Sequence, residues 1–99
     1  MKATVHTVLL PKTPMLEQPN VSRLIRELRQ LTALTQEELG RVLGVAYGTI
    51  NRWENGRMQP STLALKQIYA VLNEINQSAT GEIRERSQQL LDHYFAPEL

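Results

Sequence analysis

A chain of 99 residues has room for one modest core, so a single domain is expected. It contains no cysteine, which excludes a disulfide framework, a thiolate metal site and thiol redox chemistry. The formal net charge of +1 points only weakly at nucleic acid, but from Asn20 to Pro60 six Arg stand against four Glu, whereas from Ser61 onward Lys66, Arg84 and Arg86 face Glu74, Glu82, Glu85, Asp92 and Glu98. A basic middle and an acidic tail suit a central surface that meets phosphate, although ordinary surface scatter gives the same imbalance.

Residues 1–19 carry a short β-branched run, Thr4, Val5, Thr7 and Val8, followed by Pro11, Pro14 and Pro19, which rule out a helix. An extended or disordered arm is predicted. Its apolar residues Val8 to Leu10 run straight into Pro11, so a secretion signal is not expected, and no stretch approaches membrane-spanning length. A soluble, cytoplasmic protein without membrane contact is the expectation.

At Asn20 the pattern changes. Val21, Leu24, Ile25, Leu28 and Leu31 recur at helical spacing and predict a first helix over roughly 20–32. Thr35 with Glu38 three residues later is a capping box, and it opens a second helix with Leu39, Val42 and Leu43 on its buried face. Gly44 stops that helix by taking the left-handed conformation a helix end often needs. A short third helix then runs from Ala46 or Tyr47 to Asn55, buries Ile50 and Trp53, and ends at Gly56. Pro60 and Ser61 open a fourth, with Leu65, Ile68, Tyr69, Leu72 and Ile75 on one side. After a break at Ser78, Thr80 and Gly81, the stripe Ile83, Leu90, Leu91, Tyr94 and Phe95 requires a terminal amphipathic helix. The fold class is all-α, five helices, divided into an arm (1–19), a helical domain (20–76) and a C-terminal helix (77–99).

A capped helix joined by a tight turn to a short second one is the helix-turn-helix arrangement, which constrains residues 36–55. Leu39 and Leu43 supply an inner face, Gly40 is small where the next helix crosses, Gly44 makes the turn, Val45 plugs the corner, and Ile50 with Trp53 completes the core. His6 and His93 stand far apart with no acidic cluster at ligand spacing, so no metal is expected. No Gly-rich phosphate loop or nucleophile motif is present, so neither a cofactor nor an enzymatic activity is expected.

Over residues 21–73 the chain resembles the lambda-repressor-like family of bacterial and phage DNA-binding domains, the Cro/cI or XRE type. The resemblance rests on Leu34 to Leu39, on Leu43, Gly44 and Val45, on Thr49 to Gly56, and on Pro60 and Ser61. It implies five helices, the third lying in the major groove of double-stranded DNA, and a dimer reading a palindrome. Carried over by position, Tyr47, Gly48 and Arg52 match the family's base-reading positions, and Ala46 one that touches a thymine methyl. A guanidinium at Arg52 reaches guanine O6 and N7 together, with a phosphate contact as the plainer alternative. Gln36 matches the phosphate-binding glutamine at the positive end of the second helix, or is simply an exposed helix former. Thr49 and Asn51 are placed to reach phosphates or bases, and Asn55 and Arg57 to contact the backbone. Trp53 is read as core, with its N–H at the rim near phosphate.

Glu54 opposes the dipole of its own helix and faces phosphate, so it needs compensation. Arg29 stands where the family places a bracing arginine, and the two are read as an ion pair, the alternative being unrelated surface charges. Ala46 departs from the usual Ser or Thr cap, and Gly48 leaves a reading position without a side chain, so specificity is expected to rest on few contacts and on DNA shape. The C-terminal stripe, Leu90, Leu91, Tyr94 and Phe95, is assigned to homodimerisation, or else folds back on its own domain. Two further classes compete with a plain repressor. One is an antitoxin whose arm or tail binds a toxin; the other is the controller of a restriction-modification operon.

Overall fold

Val21, Leu24, Ile25 and Leu28 have no exposed surface, which makes α1 (Asn20–Thr32) the spine of the core in the computed structural model, in which residues 16–95 are described. The helix ends at Ala33, whose φ of 60° is left-handed, a state that costs a residue with a Cβ about 1–2 kcal/mol. The Ala33 N–H donates to the Arg29 carbonyl at 2.7 Å, and Thr32 Oγ1 donates to the Leu28 carbonyl at 2.9 Å.

Thr35 then opens α2 (Gln36–Leu43) with both halves of a capping box. Its hydroxyl accepts from the Glu38 N–H at 3.1 Å, and Glu38 Oε1 accepts from the Thr35 N–H at 2.9 Å. These bonds hold the Glu38 carboxyl below its ordinary value, the Thr35 backbone N–H first among the causes. Leu39 and Leu43 are buried, but Val42, expected beside them, is 53% exposed. It lies about 100° around the helix from Leu43, and the buried face turns instead toward Gly40. Gly40 is needed there: a Cβ on it would stand 2.7 Å from the carbonyl oxygen of Val45.

Gly44, with φ +75°, makes the turn into α3 (Tyr47–Glu54). Ala46, extended at φ −72° and ψ 153°, gives that helix no side-chain cap. Ser61 caps α4 (Thr62–Ser78) by accepting from the Ala64 N–H at 3.1 Å. Gly81, with φ +64°, opens α5 (Gly81–Phe95).

The stripe on α5 closes inward. Leu90, Leu91 and Phe95 are buried within the single chain, and the Phe95 ring meets Tyr69 of α4 edge-on with centroids 5.5 Å apart. Tyr94 is half-buried and donates its hydroxyl to Glu27 Oε2 of α1 at 3.2 Å. On α4, Asn76 Nδ2 donates to the fully buried Ser87 Oγ at 3.3 Å and to Gln88 Oε1 at 3.1 Å. The dimerisation assignment of Leu90, Leu91 and Phe95 is thus corrected, because α5 lies across α1 and α4 and spends those side chains on the core it shares with them. Ile83 is left 43% exposed.

The last residues of the predicted arm also belong to the fold. Leu16 is buried in the core, and the Gln18 N–H donates to Gln59 Oε1 at 2.7 Å. The rest of the arm, 1–15, and the tail, 96–99, lie outside the described residues.

Candidate nucleic-acid interface

A short helix can present side chains in a fixed direction only if its ends are held. Ile50 and Trp53 anchor α3 from within, and the Val45 N–H, donating to the Gly40 carbonyl at 2.9 Å, fixes the turn before it. At the far end, the carbonyls that a helix leaves unpaired are met by side chains from outside it. Gln18 Nε2 donates to the Trp53 and Met58 carbonyls, both at 3.0 Å. The Ser22 hydroxyl donates to the Glu54 carbonyl, and Arg26 Nη2 reaches the same oxygen at 3.4 Å. Two donors, one of them cationic, thus meet the negative pole of α3. Sequence reasoning missed Gln18, Ser22 and Arg26. For the last two a signal existed, since Ser22, Arg26 and Arg29 follow the i, i+4, i+7 spacing of one polar flank beside the apolar stripe.

Arg29 completes that flank. Its Nη1 lies 3.0 Å from both carboxylate oxygens of Glu54, and its Nε donates to the Leu34 carbonyl at 3.0 Å. One guanidinium therefore ties α1, the middle of the 33–35 connection and the last turn of α3 together. Glu54 Oε1 also accepts from Gln36 Nε2 at 2.8 Å. From there the bonds run onward across the α2–α3 junction: Asn51 Nδ2 donates to Gln36 Oε1 at 3.2 Å, and Asn55 Nδ2 donates to Asn51 Oδ1 at 3.2 Å.

The direction of this chain of amides has a chemical cause. An ionised carboxylate only accepts, so Gln36 must turn its NH2 toward Glu54 and its oxygen toward Asn51, and each following amide is forced the same way. Every carboxamide has two N–H bonds and spends one inside the chain, so Gln36, Asn51 and Asn55 each retain a donor. These three, spread along one side of the α2–α3 unit, are suited to anionic oxygens.

The remaining sequence-derived positions divide by exposure. Ala46, Tyr47, Arg52, Asn55 and Arg57 are exposed; Gln36, Gly48, Thr49 and Asn51 are half-buried at the edge; Ile50, Trp53 and Glu54 face inward. Tyr47 shows 57% of its surface, a large aromatic ring held in water at the start of α3. Trp53 Nε1 was expected at the rim near phosphate. It is instead buried, without a hydrogen-bond partner among the described residues, so the indole serves the core alone. Among the described residues no three His, Cys, Asp or Glu gather as metal ligands, and no helix is long and apolar enough to cross a membrane.

A capped α2, a glycine turn and a short α3 braced at both ends, with an exposed arginine and aromatic ring on it and a chain of amides beside it, define a helix-turn-helix DNA-binding domain. The helix-turn-helix family profile matches residues 25–75, and the chain belongs to that family in its lambda-repressor-like, XRE form, a DNA-binding domain of transcription regulators. No curated protein and no solved structure gives a significant match to the chain.

Proposed function

We propose that this protein is a transcriptional repressor that reads a two-fold operator as a homodimer, with α3 in the major groove. Arg52 donates to a guanine, Tyr47 and Ala46 meet neighbouring base edges, and Gln36, Thr49, Asn51, Asn55 and Arg57 hold phosphates. The observation that carries this reading is the one-way chain of amides from Glu54 through Gln36 and Asn51 to Asn55. Contacts to phosphate fix register and contacts to bases give sequence, and this arrangement separates the two. Repression follows from occupancy and needs no catalysis, and a regulator of this kind acts in the compartment that holds the DNA.

Leu90, Leu91 and Phe95 are engaged within one chain, which favours another surface for the meeting with a second copy. Of the alternatives, a restriction-modification controller and an antitoxin, the antitoxin reading rests on the arm or tail, and residues 16–19 are already packed against this chain's own core and α3–α4 loop.

Selection from a random duplex pool at two salt concentrations tests the proposal. A two-fold motif with half-sites about 34 Å apart is the expected outcome. Arg52→Ala changes preference at one position of each half-site, whereas Gln36→Ala weakens all sequences together. A pool with no enriched motif, from protein that is folded, overturns the reading.

A further inference from the structure

Gly48 stands in the first turn of α3, where alanine is the better helix former. The usual reasons for a glycine are missing. The left-handed backbone belongs to Gly44, Gly56 and Gly81, and the close backbone approach belongs to Gly40. Beyond the backbone of its own helix, the three atoms nearest to a Cβ built on Gly48 all belong to the head of Arg52: Nη1 at 3.1 Å, Cζ at 3.9 Å and Nη2 at 3.9 Å.

Helical side chains lean toward the N-terminus, so a residue four positions on lies over the turn before it. Arg52 does this, its guanidinium lying beside the place that a Cβ on residue 48 would take. Attraction does not hold it there, because the start of a helix is its positive pole. Within the described residues the arginine side chains that donate hydrogen bonds are Arg26 and Arg29, so no described residue takes up the donors of the Arg52 fork. Recognition helices of this motif meet base edges with their N-terminal residues, whereas Arg52 is rooted in the second turn.

We propose that Gly48 is a specificity-determining positioning residue: its missing side chain is the seat in which the Arg52 guanidinium lies, delivering an arginine of the second turn to the level of the first. The residue makes no base contact through a side chain of its own and acts through Arg52. The inference rests on the DNA reading proposed above and sharpens it.

The test is a two-by-two set, wild type, Gly48→Ala, Arg52→Ala and the double variant, each put through selection from a random duplex pool and melted by circular dichroism. Gly48→Ala is expected to melt at or above wild type, yet to lose discrimination at the base pair read by Arg52 by about fivefold or more, the low end of what one bidentate arginine contact supplies. Gly48→Ser, which adds the same Cβ, behaves alike. In the Arg52→Ala background the second substitution leaves the preference unchanged. A Gly48→Ala protein with the wild-type preference overturns the inference while leaving the DNA reading intact. So does an equal loss on all sequences in both backgrounds, which makes residue 48 a clearance for the DNA itself. A folded wild type that enriches no motif removes the DNA reading and the inference with it.

Discussion

The bond between Arg29 and Glu54 sets the attitude of α3, and its worth follows from its burial. The Arg29 side chain retains 29% of its exposure and Glu54 11%, which places the pair between the solvated and the interior cases. Exposed pairs contribute about 0–1 kcal/mol, whereas removing one member of a buried pair costs about 3–5 kcal/mol. Glu54→Ala removes the bonds from Arg29 and from Gln36, and the partly open guanidinium rehydrates, so the gross loss is taken as about 2 kcal/mol. Against it, deleting an acid from the last turn of α3 relieves an unfavourable dipole interaction of about 0.3–1 kcal/mol. The net loss is then about 1–2 kcal/mol, which in a domain of this size lowers Tm by roughly 5–15 °C. Thermal unfolding of wild type, Arg29→Ala, Glu54→Ala and the double variant is the assay. A coupling energy of about 1 kcal/mol is expected, little changed by high salt because a partly buried pair is weakly screened. Coupling within about 0.3 kcal/mol of zero, the ordinary error of additivity, would refute the reasoning.

Gly40→Ala gains about 1 kcal/mol of helix propensity but drives a Cβ to 2.7 Å from the Val45 carbonyl, a backbone overlap of the kind that costs about 1–3 kcal/mol, so the variant is expected to melt below wild type. An increase in Tm would mean that the α2–α3 turn gives way freely. Thr35→Ala removes the α2 cap and costs about 0.5–2 kcal/mol, measured by urea unfolding. The Glu38 carboxyl is held below its ordinary 4.5 by Thr35 in the folded chain, so its contribution is present above that pH and is lost as pH falls through the lower folded value. Stability measured from neutral into acid must therefore fall less steeply in Glu38→Gln. Tyr94 has the opposite sign. Burial first, and then Glu27, raise its hydroxyl above the ordinary 10.0, so its share of stability is complete below that pH and is lost as pH rises through the folded value. Tyr94→Phe is expected to flatten the alkaline limb, and a Tyr94 absorbance titration at the ordinary midpoint would count against the contact with Glu27.

Much of the recognition unit is legible in one dimension because it is built from local signals. The capping box at Thr35 and Glu38, the left-handed Gly44, and the inward Ile50 and Trp53 each depend on neighbours within a few residues, and helical periodicity places them on a face. The spacing of α1 is equally plain, and its five apolar positions are all buried. The α2 stripe is less so: with only eight residues, periodicity admitted Val42 to a face that α3 actually approaches from the Gly40 side.

The sequence by itself determined the five helices, their stops and the residues that α3 turns outward, because each is governed by backbone preference and short-range spacing. Tertiary structure alone decided what crosses between distant segments. It closed the α5 stripe over α1 and α4, since an amphipathic face is the same whether it meets its own chain or a second copy. It brought Gln18 to the Trp53 carbonyl at the end of α3, a pairing 35 residues apart that no periodicity encodes. And it laid the Arg52 guanidinium beside Gly48, where the missing side chain leaves the space that the arginine head occupies.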